Sequence, residues 1–292
     1  MLMYSIERYI DVFETYKLGN EDTFIKVVPE RGGIITSFFY KEKMILYLEP
    51  ETLYDPSKNI RGGIPILFPI CGWLHDESYK INGISYTIPQ HGLARKYKWD
   101  VVDSFVGKYG VDLTLCLYSN QDMEKSYPFD FRLIYRYMLT KEGLTIYQSY
   151  INDSNMNMPF YAGFHPYFYT SDKTKLEFDT GALHFWNSIT GQLEDVKEPF
   201  NIDFHSPEVN IILLDAHAGG VSMSNKADGW SISLKYDEMF KYVVIWSLKD
   251  KDFVCIEPWM ARPDSMNTNQ DVHILQPHDT LNAKFSIICE LL

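Results

Sequence analysis

Three polar residues stand in settings that suit proton transfer. His91 lies in Pro89-Gln90-His91-Gly92-Leu93-Ala94-Arg95, and His165 lies in Gly163-Phe164-His165-Pro166-Tyr167-Phe168. Glu257 lies in Val254-Cys255-Ile256-Glu257-Pro258-Trp259. Histidine titrates near neutrality unaided, and a glutamate does so when burial raises its pKa. Placed on opposite sides of one pocket, a histidine and a glutamate can act as general acid and general base. His165 and Glu257 are both embedded among apolar and aromatic residues. A carboxylate buried without a partner is costly, so a functional partner or a bound ligand is expected at Glu257. Each of these two residues precedes a proline. That biases it towards an extended backbone and predicts a strand end at the mouth of a sheet. Structural readings stand beside these. A histidine among aromatics also serves as a hydrogen-bonded core residue, and a lone glutamate can simply accept backbone N–H bonds. The three residues are far apart in the chain, so residue type and spacing alone do not join them into one site.

Two arginines are candidates for holding an anion. Arg61 opens Arg61-Gly62-Gly63-Ile64-Pro65, and Arg95 closes the His91 segment. Arginine grips phosphate bidentately, and the glycines allow close approach of backbone. Surface salt bridging is the plain alternative in an acidic protein. No GxxxxGK[ST] or GxGxxG pattern supports a nucleotide, and no serine has a GxSxG setting. A two-histidine, one-carboxylate metal site is conceivable by residue type. No two of its members are close enough for a local chelating motif, so neither metal nor organic cofactor is expected.

The elements that must position these residues read as short strands separated by turns. Lys80 to Ser85 carries an Asn-Gly hairpin signal. Trp99–Val106 with Val111–Tyr118, and Phe131–Leu139 with Leu144–Ile151, read as two further hairpins. Tyr242–Ser247 and Phe253–Glu257 flank a charged turn. The segment Ile6 to Tyr16 is the best helical candidate, on weak periodicity. Many strands without interleaved helices predict an all-β sandwich or barrel, and no linker composition divides residues 1–292, so one domain is expected.

Composition bounds the partners. Of 292 residues, 46% are hydrophobic, enough for a sizeable core. The 15% aromatic content favours strands and also suits packing against the C–H faces of a pyranose. The formal charge of −12 repels phosphate backbones, so no nucleic-acid partner is expected. The N-terminus has no apolar signal core, no run is long enough to span a membrane, and the four cysteines include no CxxC pair. These features predict a cytoplasmic protein, monomeric or homodimeric, acting on a small molecule.

Taken in order, Arg61-Gly62-Gly63-Ile64-Pro65 with Phe68-Pro69 and Gly72, Gln90-His91-Gly92-Leu93-Ala94-Arg95 with Trp99, Gly163-Phe164-His165-Pro166-Tyr167-Phe168, and Cys255-Ile256-Glu257-Pro258-Trp259 resemble the galactose mutarotase-like superfamily. The likeness is greatest to its aldose 1-epimerase and glucose-6-phosphate 1-epimerase-related branch. It runs from about residue 20 to the C-terminus. The resemblance implies a large twisted antiparallel β-sandwich, a sugar or sugar phosphate in a cleft on a concave sheet, and interconversion of its α and β anomers. It implies Glu257 as base on the C1 hydroxyl, His165 as acid at the ring oxygen, and His91 as a hydrogen-bonding neighbour. Arg61, Gln90 and Arg95 match positions lining the site in the phosphate-sugar branch. Trp73 is added as a stacking wall by inference from its type. The family's sugar-binding aspartate is assigned first to Asp215, with Asn210 as the alternative, and Arg262 is a further candidate anion contact. The chain departs from enzymes for free galactose, which carry Asn-His ahead of the first glycine and an Asn-His-x-Tyr-Phe-Asn-like second motif. That tilts the reading towards a phosphorylated sugar. A non-catalytic sugar-binding or sensor protein on the same fold is the competing reading.

Overall fold

The computed structural model describes residues 3–292. Two eight-stranded antiparallel sheets dominate it. The first holds the long, regularly alternating segments. Its central order runs Trp230–Tyr236, Thr280–Leu291, Gly143–Asn152, Phe131–Thr140, Gly110–Tyr118, with Asp100–Val106 at one edge. The strand Phe131–Thr140 alternates buried and accessible residues along its whole length, as a half-buried strand must. The predicted hairpins form as expected, and the Asn82-Gly83 turn has positive φ at both residues.

The second sheet is assembled from shorter pieces. Its order is Gln192–Asp195, His184–Asn187, Glu208–Leu213, Tyr242–Leu248, Phe253–Trp259, Gly163–Phe164, Ile66–Leu67, and Tyr167–Tyr169 also pairs with Phe253–Trp259. Its inner face packs on the first sheet. Phe164 lies 5.0 Å from Phe285 and 6.0 Å from Tyr135, ring centre to ring centre, and Phe68 reaches Phe131 at 5.1 Å. One continuous apolar cluster joins the two sheets. This is the predicted all-β sandwich. Among the described residues no helix is long and apolar enough to cross a membrane. All four cysteines are buried and free of disulfides.

The helix expected over Ile6 to Tyr16 does not form. Strands Ser5–Ile10 and Glu14–Gly19 pair antiparallel as one side of a five-stranded sheet. The apparent helical stripe was misleading because Ser5–Ile10 is an edge strand, with Ile10 80% exposed. Its apolar residues therefore do not mark a buried face.

Candidate active site

The outer face of the second sheet carries the site, and register explains how. Gly163 pairs with Trp259 and Tyr167 with Cys255, which sets His165 directly across from Glu257. Val244 pairs with Glu257, Trp246 with Cys255, and Asn210 with Trp246. Side chains alternate along a strand, so Glu208, Asn210, Val244, Trp246, Glu257, Trp259, His165 and Tyr167 all share one face. Their neighbours Phe164 and Ile256 point to the core and are buried there. The prediction of strand ends needs correcting for Glu257. It lies inside the strand Phe253–Trp259, and Pro258 is itself paired, with Val243. On the other side, Pro166 and Pro258 remove donors from the ladder, and the His165 amide donates to the Pro65 carbonyl at 3.1 Å instead. The ladder is interrupted where the two ionisable groups face each other.

His165 Nε2 lies 3.3 Å from Glu257 Oε1, and Glu257 Oε2 accepts from the Trp259 indole N–H at 3.1 Å. The Glu257 side chain is 1% exposed and that of His165 13%. Burial holds the Glu257 carboxyl well above the usual carboxylate range, despite the indole bond that favours its charged form. Burial also pushes His165 far below an ordinary histidine, and the Arg95 and Arg61 guanidiniums push it the same way. Burial therefore disfavours the charged form of both groups where they meet. His165 stacks on Tyr167, with ring centres 4.8 Å apart and planes at 14°.

His91 comes from a tight loop. Its φ is +66°, its amide donates to the Gly72 carbonyl at 2.7 Å, and the Gly72 amide donates back to its Nδ1 at 3.1 Å. That bond fixes the tautomer. With Nδ1 accepting, the neutral ring carries its proton on Nε2 and is a donor. Burial, helped by His165 and Arg95, keeps the ring neutral. Gly92 follows with φ +73°, where a Cβ would stand 2.3 Å from the Phe68 carbonyl oxygen. That carbonyl accepts from the Leu93 and Ala94 amides, so the loop is closed around it. His91 and His165 meet edge to face at 5.4 Å.

These residues line a cleft of about 260 Å³, together with Asn59, Arg61, Gln90 and Arg95. The Arg61 guanidinium sits 5.6 Å over the Trp246 ring, whose N–H donates to Glu208 Oε1 at 2.8 Å. Arg95 Nη2 donates to the Gln90 carbonyl at 2.8 Å. Arg61 Nη1, Arg95 Nε and His165 Nδ1 are buried without a hydrogen-bond partner. Below the pair, Cys255 shares its face, and ligand atoms of His165, Cys255 and Glu257 lie within 4.8 Å of one another.

The structure thus brings together His91, His165, Glu257, Arg61, Gln90 and Arg95. It places Trp73 and Asp215 elsewhere. Trp73 is 51% exposed and is not part of the cleft lining, so no stacking wall forms from it. Asp215 is tied to His184, whose Nδ1 is 2.7 Å from its Oδ2, beyond the end of Glu208–Leu213. Arg262 instead lies over the Trp186 ring. Asn210, the alternative to Asp215, does line the cleft, and so does Glu208, which the sequence reading missed. The alternation Glu208-Val209-Asn210-Ile211 carried that signal, since both polar residues fall on one face.

Comparison with known proteins bears on the fold and the family. The chain superposes on the Slr1438 protein of Synechocystis sp. PCC 6803 with a TM-score of 0.93 at 29% identity, covering 99% of this chain and 100% of that one. It is 25% identical over 280 residues to the LacX protein of Lactococcus lactis subsp. lactis, covering 86% of this chain and 89% of that protein. A stretch of 100 residues is 30% identical to a Salmonella typhimurium protein named as a candidate glucose-6-phosphate 1-epimerase, covering 34% of this chain and 31% of that protein. The fold is that of the galactose mutarotase-like proteins. With residues 14–287 matching the model of the aldose 1-epimerase family, the chain belongs to that family.

Proposed function

We propose that this protein interconverts the α and β anomers of a hexose 6-phosphate by general acid–base ring opening. The observation that carries the proposal is the 3.3 Å contact between His165 and Glu257 across a broken ladder, on the floor of a cleft. Ring opening needs one proton taken from the C1 hydroxyl and one given to the ring oxygen, while the C1–ring oxygen bond breaks. A pair that passes a single proton between its two members would meet that need without exchange with solvent. Sugar hydroxyls entering the cleft supply donors to the carboxylate, favouring transfer of the proton to His165. Glu257 then takes the C1 proton and His165 protonates the ring oxygen. Rotation about C1–C2 and the reverse transfers close the ring on the other face. The His91 Nε2–H is a fixed donor beside them, and Glu208 and Asn210 are positioned to accept and donate bonds to sugar hydroxyls.

Two features favour a phosphorylated sugar. Arg61 and Arg95 present buried N–H groups without partners, in a protein of net charge −12. A second cavity of about 150 Å³ adjoins the cleft and shares Arg95, Asn59, Ile60 and Pro65 with it. Arg31, Lys58 and Lys96 also line that cavity, giving it a basic wall. Four unpaired thiols fit a reducing, cytoplasmic setting.

NMR magnetisation transfer on glucose, galactose and glucose 6-phosphate tests the reading. Exchange is expected to be fastest for glucose 6-phosphate. In Glu257→Gln it should fall by about 10²–10⁴-fold, the usual contribution of a positioned acid–base group. If the wild type adds nothing to the buffer rate on any of the three sugars, the enzyme reading gives way to a sugar-binding protein.

A further inference from the structure

The mechanism gives Cys255 no task, although it lies on the same face of its strand as Glu257, two residues away, and across from Tyr167. We infer that His165, Cys255 and Glu257 together form a binding site for a thiophilic divalent cation of the zinc class, and that occupying it switches the enzyme off. The inhibitory half of this rests on the acid–base reading above; the binding half does not.

Geometry carries it. Zinc bonds of about 2.0–2.1 Å to nitrogen, 2.0–2.2 Å to oxygen and 2.3 Å to sulfur imply tetrahedral edges of roughly 3.3–3.6 Å. The His165 Nε2 to Glu257 Oε1 distance of 3.3 Å is already such an edge. The remaining separations, none beyond 4.8 Å, need a movement on the order of an ångström, within reach of side-chain adjustment. Backbone register holds the three in place. Cys255 and Glu257 are fixed two apart on one strand, and His165 is set opposite by the Gly163–Trp259 and Tyr167–Cys255 pairings. His165 and Glu257 line the cleft while Cys255 lies buried behind them, so a fourth position on the cleft side would be the open place beside three protein ligands.

Charge is the natural objection, because Arg61 and Arg95 stand close by. Coordination answers it. Cys255 enters as thiolate and Glu257 as carboxylate, their protons passing to solvent, and these two charges cancel the dication. A neutral complex is not repelled by the arginines, and its formation relieves the buried acid of its proton. The complex also holds the His165 nitrogen that would protonate the ring oxygen and the carboxylate that would take the C1 proton. Histidines elsewhere offer less. His75, His184 and His217 pair with aspartates in solvent-exposed settings, and among the described residues none of them belongs to a cluster of three such ligands.

Three measurements test the inference on the whole protein. Equilibrium dialysis with Zn²⁺ should give one tight site in the wild type and binding weaker by roughly a hundredfold in Cys255→Ala. Co²⁺ should give a thiolate-to-metal charge-transfer band and tetrahedral visible bands in the wild type, and neither in the variant. Zn²⁺ should abolish anomer exchange reversibly, with EDTA restoring it, whereas metal-free Cys255→Ala should keep its exchange rate and resist Zn²⁺. Thermal melting of the variant establishes that it is folded. Tight binding that survives in Cys255→Ala, or a cobalt complex without the thiolate band, overturns the site. If the metal binds as expected but the metal-free wild type catalyses no exchange, the site stands and the functional reading falls.

Discussion

The two eight-stranded sheets use the same backbone interaction for opposite ends. In the sheet containing Phe131–Thr140 and Gly143–Asn152, the strands are ten residues each and the ladder between them is unbroken. Its inward side chains are mostly apolar or aromatic and include no ionisable carboxylate or histidine on these two strands; Leu133, Tyr135, Ile146 and Tyr150 are at most 1% exposed, and the neutral amides Gln148 and Asn152 are the polar exceptions. In the cleft sheet, the strands on one side of Phe253–Trp259 are only two or three residues long, and Pro166 lies in the gap between them. There the buried face includes a glutamate and a histidine whose charged forms burial disfavours. The long sheet thus supplies stability. The cleft sheet carries groups whose charged forms weigh against stability, the pattern expected of a reactive or ligand-binding site. The two should respond differently to substitution.

The largest effect on stability is expected in the long sheet. Trp230 is 1% exposed and begins the strand Trp230–Tyr236, which contributes nothing to the cleft lining. Trp230→Ala should cost about 3–5 kcal/mol, from lost burial and the cavity left behind. Urea denaturation reads this, and anomer exchange per folded molecule should be unchanged below the transition. A fall in exchange rate while the protein stays folded would break the division between the sheets.

A pair of glycines sharpens the comparison next. Gly92 and Gly83 both have positive φ, +73° and +82°. Alanine at either position bears the left-handed backbone cost, on the order of 1–2 kcal/mol. A Cβ at Gly83 meets nothing within 4 Å, whereas one at Gly92 collides with the Phe68 carbonyl that closes the His91 loop. Gly83→Ala should show the backbone cost alone and full activity. Gly92→Ala should lose more stability and also at least about tenfold in exchange rate, since catalytic groups tolerate little displacement. Equal melting temperatures and equal rates in the two variants would mean that the loop does not hold His91 in place.

The same division governs what the sequence made legible. Hairpins of the long sheet were readable because alternation and glycine-bearing turns are local signals, fixed by neighbouring residues. In the cleft sheet the residue types were readable, but their meeting was not. Nothing between residues 165 and 257 states that they face each other; that follows from a pairing of strands distant in sequence. His91, His165, Glu257, Arg61 and Arg95 were singled out by type and setting but joined into one candidate site only through family resemblance, which carries non-local information. Where resemblance gave no motif, type alone misled. Asp215 has suitable chemistry but lies past the end of its strand, and Trp73 is a suitable stacking ring that faces solvent. Glu208 was missed although strand periodicity pairs it with Asn210, because its partner Trp246 comes from another strand.

The last effect is the most discriminating, because its sign is unusual. Glu257→Gln removes catalysis, yet it should stabilise the protein at neutral pH. The wild-type carboxyl has a native pKa raised above its unfolded value of 4.5, because burial disfavours its charge. The stability tied to that proton is fully present below pH 4.5 and is lost as pH climbs through the native value. The penalty grows by about 1.4 kcal/mol for each pH unit over that window and then levels off. Glutamine binds no proton and bears no such penalty, and its amide oxygen can still accept from the Trp259 indole. His165 has the opposite dependence, since its native pKa is lowered and acid favours its unfolded, protonated form. To first order that contribution is shared by both proteins and drops out of their difference. Urea denaturation at a series of pH values should therefore show the two equally stable below pH 4.5 and the variant ahead at pH 7. If the wild type were the more stable at pH 7, Glu257 would be a charged partner of His165 in the native state. The cleft sheet would then gain stability from its ionisable pair, and the contrast with the long sheet would fail at the residue on which it most depends.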